Sequence, residues 1–271
     1  MATQVRPPAV AGRFYPGNAE TLRRDLKRYA ASGGARLHAF GCIAPHAGYM
    51  YSGHVAGAVY ARLALPKRFI LLCPNHTGIG EPISIMSEGS WRTPLGNVTI
   101  DAALAAELKS RFPLIAEDEL AHRAEHALEV QLPFLQELAG QFTFVPITVG
   151  TSRFDALAAL GTVIAEALHD DAERALIVAS SDMNHYEPDA PTRVKDRKAI
   201  DKILALDAKG LYDTVAEENI SMCGFGPTVA MLTAAKRLGA KTAQLIKYAT
   251  SGDVSGDLDA VVGYAGIAVG P

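Results

Sequence analysis

The chain has 271 residues, of which 49% are hydrophobic and 20% charged, as expected for a globular protein with a sizeable core. The formal net charge is −3 at pH 7 and the basic pairs are scattered, which argues against a nucleic-acid-binding face built from clustered lysine and arginine. The sequence begins without the apolar core of a signal peptide, and no apolar run is long enough to cross a bilayer. With three cysteines and no membrane segment, we expect a protein of the reducing cytoplasm.

Apolar runs typical of buried strands alternate along the chain with amphipathic runs typical of helices. Strands are predicted over 40–44, 68–73, 142–149, 174–180, 243–250 and 260–269. Helices are predicted over 19–31, 52–64, 101–111, 124–139, 154–169, 193–206, 208–217 and 228–238, with Asn18 as an N-cap and Pro227 in a first turn. The segments "ISIM" and "GNVTI", around "WRTPL", are predicted to form a hairpin outside this scheme. The alternation predicts a single α/β domain whose central sheet, largely parallel or mixed, is flanked by helices on both faces.

Polar residues follow three of the predicted strands at the point where each strand ends. His46 ends the run "IAPH", His76 ends "LLCPNH", and Asp182 and His185 lie in "IVASSDMNH". In an open α/β sheet the loops beyond the carboxyl ends of parallel strands line the ligand crevice. We therefore expect these side chains to meet at one edge of the sheet, although a single histidine after a strand is usually an ordinary loop residue.

Cys223, in "SMCGFGP", precedes the helix predicted to begin near Pro227. A thiol near a helix N-terminus gains thiolate character from the helix dipole and the free amides. Two neutral imidazoles and one anionic ligand, with positions left open, form a catalytic metal site. The sequence thus predicts that Cys223 joins the histidines at the sheet edge.

The remaining cysteines and histidines have simpler interpretations. Cys42 and Cys73 lie inside apolar strands, where a free cysteine behaves as a small hydrophobic residue. His54 is expected at the surface or at the rim of the pocket. Three further histidines without polar companions are expected at the surface: His38, His122 and His169.

In the segment "AEHALEVQLPFLQEL", Glu125 and His126 lie at the start of the predicted helix, and Glu129 lies one turn on. These residues are candidates to support the site or gate its substrate. Acidic residues are also common in the first turn of a helix, where their negative charge interacts favourably with the helix dipole. Both interpretations stay open at this stage.

Other catalytic patterns have weaker support. Residues 180–185 contain the residue types of a hydrolase triad, but no G-x-S-x-G elbow accompanies them, and neighbours in one loop rarely reach triad geometry. The glycine-rich segments "CGFGPTV" and "TGIGEP" match neither G-x-G-x-x-G nor the P-loop. The sequence contains no C-x-x-C pair, which argues against a zinc ribbon.

The sequence resembles the Memo family, whose microbial branch is called AmmeMemoRadiSam system protein B. The resemblance runs nearly end to end and implies one Memo-like domain over 1–271. It rests on "RPPAVAGRFYPG", "APHAGYMYSGHVAG", "CPNHTG", "WRTPLG", "EHALEVQLPFL", "SSDMNHY", "MCGFGP" and "GYAGIAV". It implies a fold like that of the class III extradiol (LigB-like) dioxygenases, which use non-haem iron.

The resemblance also implies roles for individual residues. His46, His76 and Cys223 fall on the family's metal-binding positions, and Asp182 and His185 fall on further polar positions of the pocket. In the dioxygenases a histidine corresponding to His185 would be the acid/base. Those enzymes complete their ligand set with a carboxylate, whereas here the cysteine stands in that position. A thiolate shifts the preference toward copper(I), zinc or a redox-tuned iron, so ring cleavage is only weakly implied.

Our first hypothesis is a metal-dependent redox enzyme of unknown substrate, with iron or copper on the two histidines and the cysteine. His185 would be the general acid/base, oriented or charge-tuned by Asp182, which would favour the protonated imidazole. Three aromatic residues are candidates to line the entrance: Tyr15, Tyr49 and Trp91.

Two alternatives stay open. The cleft could bind a peptide or protein without catalysis, and the family's gene neighbours imply a radical-SAM protein and an AMMECR-type protein as partners. A zinc hydrolase is the other alternative, with Glu125 or His185 as the base on a zinc-bound water.

Overall fold

The computed structural model describes residues 4–31, 34–169 and 175–271. The strands are β1 (Val5–Arg6), β2 (Gly41–Ala44), β3 (Arg68–Pro74), β4 (Ile83–Ile85), β5 (Ser90–Thr93), β6 (Gly96–Ile100), β7 (Ala116–Glu117), β8 (Thr143–Val149), β9 (Leu176–Ser180), β10 (His185–Glu187), β11 (Thr242–Thr250) and β12 (Val261–Gly270). The α-helices are α1 (Ala19–Tyr29), α2 (Tyr49–Arg62), α3 (Ala102–Arg111), α4 (Leu120–Arg123), α5 (Leu132–Ala139), α6 (Phe154–Leu168), α7 (Asp189–Leu204), α8 (Ala208–Glu217), α9 (Phe225–Arg237) and α10 (Gly252–Ser255), and Glu129–Gln131 form a 3₁₀ turn before α5.

The strands form a mixed sheet in the order β1-β5-β6-β8-β3-β9-β2-β12-β10, with β11 paired to β12 and β4 paired to β7 and β8. The four strands at its centre, β8, β3, β9 and β2, run parallel to one another. Next to them, β12 runs antiparallel to β2, β10 and β11. The predicted single-domain α/β class with a mixed central sheet is therefore confirmed.

Helices cover both faces of the sheet because successive strand residues point to opposite sides. Along β3, Ile70 and Leu72 join the core cluster that contains α3, α6, α7, α8 and α9. Phe69 and Leu71 join the cluster that contains α1, α2 and α5. Burial on both faces explains why the central strands read as continuous apolar runs in the sequence.

Most predicted helices and strands lie within a few residues of the observed ones, and the predicted caps are present. Asn18 is the N-cap of α1, and its Oδ1 accepts hydrogen bonds from the backbone N–H groups of Glu20 and Thr21 at 3.0 and 3.1 Å. Pro227 lies in the first turn of α9, where its missing N–H costs nothing. Within the described ranges, no helix is long and apolar enough to cross a membrane.

Two predicted elements need correction, and a third lies partly outside the described residues. The helix over 124–139 is broken, because Pro133 fits only the first turn of α5 and cannot occupy the middle of a longer helix. The hairpin is formed by β5 and β6, whereas β4 pairs with β7 and β8. The described part of the strand over 174–180 begins at Leu176, and Arg174 lies outside the described residues.

Candidate metal centre

The predicted polar site residues follow the carboxyl ends of three adjacent parallel strands, β3, β9 and β2. His46 follows the end of β2, His76 follows the end of β3, and Asp182 follows the end of β9. Because these strands are neighbours and run the same way, their carboxyl ends open at one edge of the sheet. The predicted convergence of the three loops is found.

Cys223 reaches the same edge from the turn before α9. One donor atom each from His46, His76 and Cys223 lies within 4.8 Å of the others. The Cys223 Sγ atom is 3.2 Å from His46 Nε2, and the two imidazole rings meet edge to face with centroids 5.0 Å apart. Metal bonds to nitrogen and sulfur are about 2.0–2.3 Å long, so these donors need only small movements to close on one ion. The donor set therefore fits a transition metal.

A buried carboxylate orients His76. Glu125 is fully buried, its Oε2 accepts the backbone N–H of His76 at 2.7 Å, and its Oε1 accepts Nδ1–H of the ring at 2.9 Å. Since Nδ1 is used in this way, Nε2 is the nitrogen left to face the cluster. Burial would lower the pKa of His76, but the hydrogen bond and the charge of Glu125 outweigh it and raise the pKa. Burial would likewise raise the pKa of Glu125, but the bonds from His76 and Ala127 hold it at about 2.

Asp182 holds the loop that carries His46. Its Oδ1 accepts the backbone N–H groups of His46 and Ala47 at 2.8 and 3.4 Å, and its Oδ2 is 3.9 Å from His46 Nε2. Burial raises the pKa of Asp182 despite these backbone bonds. Burial also lowers the pKa of His46 well below its usual value, and the nearby imidazoles of His76 and His126 act in the same direction. His46 is thus held neutral, the form in which an imidazole binds a metal.

The surroundings of Cys223 favour the protonated thiol, contrary to the expected thiolate character. Burial raises the pKa of the thiol, and the charge of Asp182 acts in the same direction. The position just before α9 was expected to lower this pKa. Here desolvation outweighs the helix N-terminus and disfavours the thiolate.

His185 lies on β10 rather than in the loop after β9, and Ser221, not Asp182, orients it. Its backbone N–H donates to Ser221 Oγ at 2.7 Å, and its Nδ1–H donates to the Ser221 carbonyl at 2.9 Å. The charge of His185 still acts on Asp182 and on His46, so the ring lies near the cluster. With Nδ1 used by Ser221, Nε2 is the ring nitrogen left for another partner.

His126 is a third imidazole over the cluster. Its ring stacks on His76 with centroids 4.7 Å apart and meets His46 edge to face at 5.4 Å. The Phe14 ring is tilted against that of His126, with centroids 4.8 Å apart. A donor atom from each of His76, Glu125 and His126 also lies within 4.8 Å of the other two. Glu125 uses both oxygens on His76 and Ala127, which argues against its predicted alternative role as a free base.

The three aromatic residues expected at the entrance are core residues instead. Tyr15 is buried, and its hydroxyl donates to Glu129 Oε1 at 2.7 Å. Tyr49 is buried, and its hydroxyl donates to the Val130 carbonyl at 2.6 Å. Trp91 is fully buried. Aromatic rings supply large buried area wherever their polar atoms find a partner, so aromatic character alone did not mark the entrance.

The N-terminal segment is held by a buried ion pair in which Glu129, a candidate to support the site or gate its substrate, contacts Arg6. Arg6 donates from Nη1 to Glu129 Oε2 at 2.7 Å and lies over the Trp91 ring at 4.1 Å. The same guanidinium donates to the carbonyls of His122 and Glu125 at 2.8 and 2.7 Å. Glu129 therefore anchors the N-terminal segment and, through Arg6, the backbone that carries Glu125.

The expected surface position of His122 is wrong. His122 is fully buried, and its Nδ1 is hydrogen-bonded to Thr148 Oγ1 at 3.0 Å. Its edge faces Trp91 with centroids 5.7 Å apart. His54 is half-buried on α2, whereas His38 and His169 are exposed as expected. Nothing in the sequence near His122 signals its partners, which come from β5 and β8.

The sequence model of the Memo-like protein family matches residues 6–268. The chain belongs to the Memo family. Proteins called MEMO1 family proteins are similar over nearly their whole length. The one from Methanosarcina mazei is 46% identical over 98% of this chain and 99% of its own. Those from Methanothermobacter thermautotrophicus and Pyrobaculum aerophilum are 42% and 43% identical, with at least 96% of each chain covered.

A solved structure supports the architecture of this Memo family member. The crystal structure of an uncharacterized protein from Escherichia coli K12 matches with a TM-score of 0.56, covering 84% of this chain and 98% of that chain. The two sequences are 14% identical, so the likeness concerns the fold alone. The relation to class III extradiol dioxygenases stays a prediction.

Proposed function

We propose that this Memo family protein binds iron or copper through His46, His76 and Cys223 and uses the ion for redox chemistry on a small molecule or peptide. The observation that carries the proposal is the meeting of one thiol and two imidazoles at one sheet edge, with Sγ 3.2 Å from Nε2 and all donors within 4.8 Å. When bound to such a set, iron or copper supplies one-electron chemistry with coordination positions left open.

The protein's own groups support this proposal by what they do around the donors. Glu125 orients His76 and places a negative charge behind it. Asp182 holds the His46 loop by its backbone. His185, fixed through Nδ1 by Ser221, can move a proton at Nε2 near the cluster. Ligand orientation and a mobile proton are what a redox site requires from its protein.

The cellular setting belongs to the same proposal. Cys42 and Cys73 are fully buried in β2 and β3, and the three cysteines are free. Free cysteines are typical of a reducing compartment, so we propose a cytoplasmic location.

Elemental analysis of untagged protein purified without oxygen tests the proposal. Wild type is expected to carry near-stoichiometric iron or copper, and Cys223→Ser and His46→Ala are expected to lose most of it. Cys42→Ala is the matched control, because that cysteine is buried in β2 and lies in neither candidate donor group. Wild type that holds no iron or copper, even after reconstitution, would overturn the proposal. Zinc alone with chelator-sensitive hydrolysis would favour the hydrolase, and retained ligand binding without metal would favour the binding module.

A further inference from the structure

A chain of three buried polar side chains lies behind His46, on the side away from Cys223. Ser180, Gln131 and Tyr60 come from β9, the 3₁₀ turn and α2, and each is at most 1% exposed. His46 Nδ1 is 2.9 Å from Ser180 Oγ, which is 2.8 Å from Gln131 Nε2. Gln131 Oε1 is 2.8 Å from the Tyr60 hydroxyl. This series of hydrogen bonds thus ends at His46 Nδ1, the ring nitrogen that does not face the donor cluster.

The backbone carbonyl of Pro45 fixes the amide of Gln131. Gln131 Nε2 lies 3.0 Å from this carbonyl oxygen, which can only accept a hydrogen bond. The nitrogen end of the amide must therefore face Pro45 and Ser180. The oxygen end then accepts from the Tyr60 hydroxyl, which is the arrangement observed. A flipped amide would place two acceptors against each other in a buried site.

A second carbonyl fixes the hydroxyl of Ser180. Its Oγ is 2.7 Å from the carbonyl oxygen of Ala127, so its single hydrogen is donated there. The oxygen is left with two acceptor positions. One receives an N–H from Gln131, and the other faces His46 Nδ1. The nitrogen at that position must carry a hydrogen, because Ser180 has none left to give.

We propose that Ser180, oriented by Gln131 and Ala127, holds His46 in the tautomer with hydrogen on Nδ1. This leaves the lone pair of Nε2 aimed at Cys223 Sγ, 3.2 Å away. Ser180 and Gln131 are therefore positioning residues of the metal centre. This role, unlike the tautomer itself, rests on the proposed function. His76 is fixed by an anion, Glu125, whereas His46 is fixed by a neutral hydroxyl.

Nitrogen NMR of histidine-labelled, metal-free protein tests the tautomer without any metal. In wild type we expect the His46 signal of a ring protonated at Nδ1. In Ser180→Ala the acceptor for Nδ1–H is gone, whereas a hydrogen on Nε2 has Cys223 Sγ at 3.2 Å and the carboxylate oxygen Asp182 Oδ2 at 3.9 Å. The hydrogen is therefore expected to move to Nε2. Thr148→Val is the matched control, because it removes another buried hydroxyl that touches a different histidine, His122.

Metal affinity, measured by competition with a chelator, tests the positioning role. Ser180→Ala is expected to weaken iron or copper binding by about 10- to 100-fold, whereas Thr148→Val stays within a few-fold of wild type. Gln131→Met keeps the length of the side chain and is expected to give a mixture of tautomers with a smaller loss. Thermal unfolding shows whether Ser180→Ala folds. If it does not, Gln131→Met tests the positioning role in its place.

The outcomes separate the two proposals. Wild type with hydrogen on Nε2 of His46, or variants at Ser180 and Gln131 that keep both tautomer and affinity, would overturn the positioning inference. A wild type that binds no iron or copper would overturn the proposed function. The NMR result on the metal-free protein would still decide the tautomer in that case.

Discussion

Glu125 accepts hydrogen bonds from both the backbone and the ring of His76, at 2.7 Å from the N–H and 2.9 Å from Nδ1. One buried carboxylate thereby sets the path of the loop after β3 and the rotation of the imidazole. The Ala127 N–H donates to the same carboxylate at 2.9 Å. The position of His76 thus depends on a residue that is 49 positions away in the sequence.

Replacing Glu125 by glutamine should weaken metal binding by about 10- to 100-fold, because outer partners of metal-bound histidines contribute on this scale. The amide has only one oxygen, so its NH₂ group must face an N–H of His76 or of Ala127. The ring or the loop then shifts. Chelator competition on Glu125→Gln measures the loss. Glu137→Gln is the control, because that carboxylate lies on α5, 4.0 Å from Arg23 and Lys27, and belongs to neither candidate donor group. Equal affinity of wild type and Glu125→Gln would contradict the role given to this carboxylate.

His185 should be dispensable for metal binding, because Ser221 holds it on β10 and its donor atoms do not join those of the cluster. We expect His185→Gln to retain the iron or copper content of wild type, while His76→Gln loses it. Elemental analysis of the two variants, purified side by side, makes the comparison. If His185→Gln lost metal as fully as His76→Gln, His185 would have to be counted among the ligands.

The sequence predicted the sheet edge well because strand ends are a local signal. The apolar runs before His46 and His76 identified buried strands, and parallel strands place their carboxyl ends together. The general form of the fold and the three candidate donors followed from that rule and from the family resemblance. The loop after β9 was harder, since His185 turns back to pair with β12.

Partners that meet only through the tertiary fold were not predictable. Gln131 looked like one polar residue in an apolar helix, yet it is fully buried and contacts Ser180 and Tyr60. His122 and Trp91 carry no sequence pattern that separates a buried polar contact from a surface or a cleft position. Such contacts depend on which loops the order of strands in the sheet brings together. Local hydrophobic periodicity does not determine that order.

The buried ion pair between Arg6 and Glu129 should dominate the stability of the N-terminal segment. The Glu129→Gln variant leaves the Arg6 charge buried without its counter-charge, which typically costs about 3–5 kcal/mol of unfolding free energy. Tyr15 and the N–H groups of Ala9 and Val10 also lose a charged acceptor.

Chemical denaturation of Glu129→Gln measures this loss. Glu107→Gln breaks an exposed pair with Arg111 and should cost under about 1 kcal/mol. Adding Arg6→Met to Glu129→Gln should restore part of the stability, because the unpaired charge is then removed. A loss no larger for Glu129→Gln than for Glu107→Gln would contradict the importance of the buried pair.

His122 should make the protein less stable in mild acid. Burial lowers the pKa of His122 from 6.5 to about 4, and the charge of Arg6 acts in the same direction. The unfolded chain therefore binds a proton in the range between these values, where folded His122 does not. Stability from this residue is complete above about pH 6.5 and falls as the pH drops toward 4, by roughly 3 kcal/mol as an order of magnitude.

The variant His122→Phe isolates this effect, because it fills a similar volume next to Trp91 and has no group to titrate. Denaturation curves at about pH 7 and about pH 4 should show a larger loss of unfolding free energy for wild type than for the variant. At neutral pH the variant is expected to be less stable, since Thr148 loses its hydrogen bond with His122 Nδ1. The same acid sensitivity in both proteins would assign the loss to other groups and contradict a neutral, buried His122.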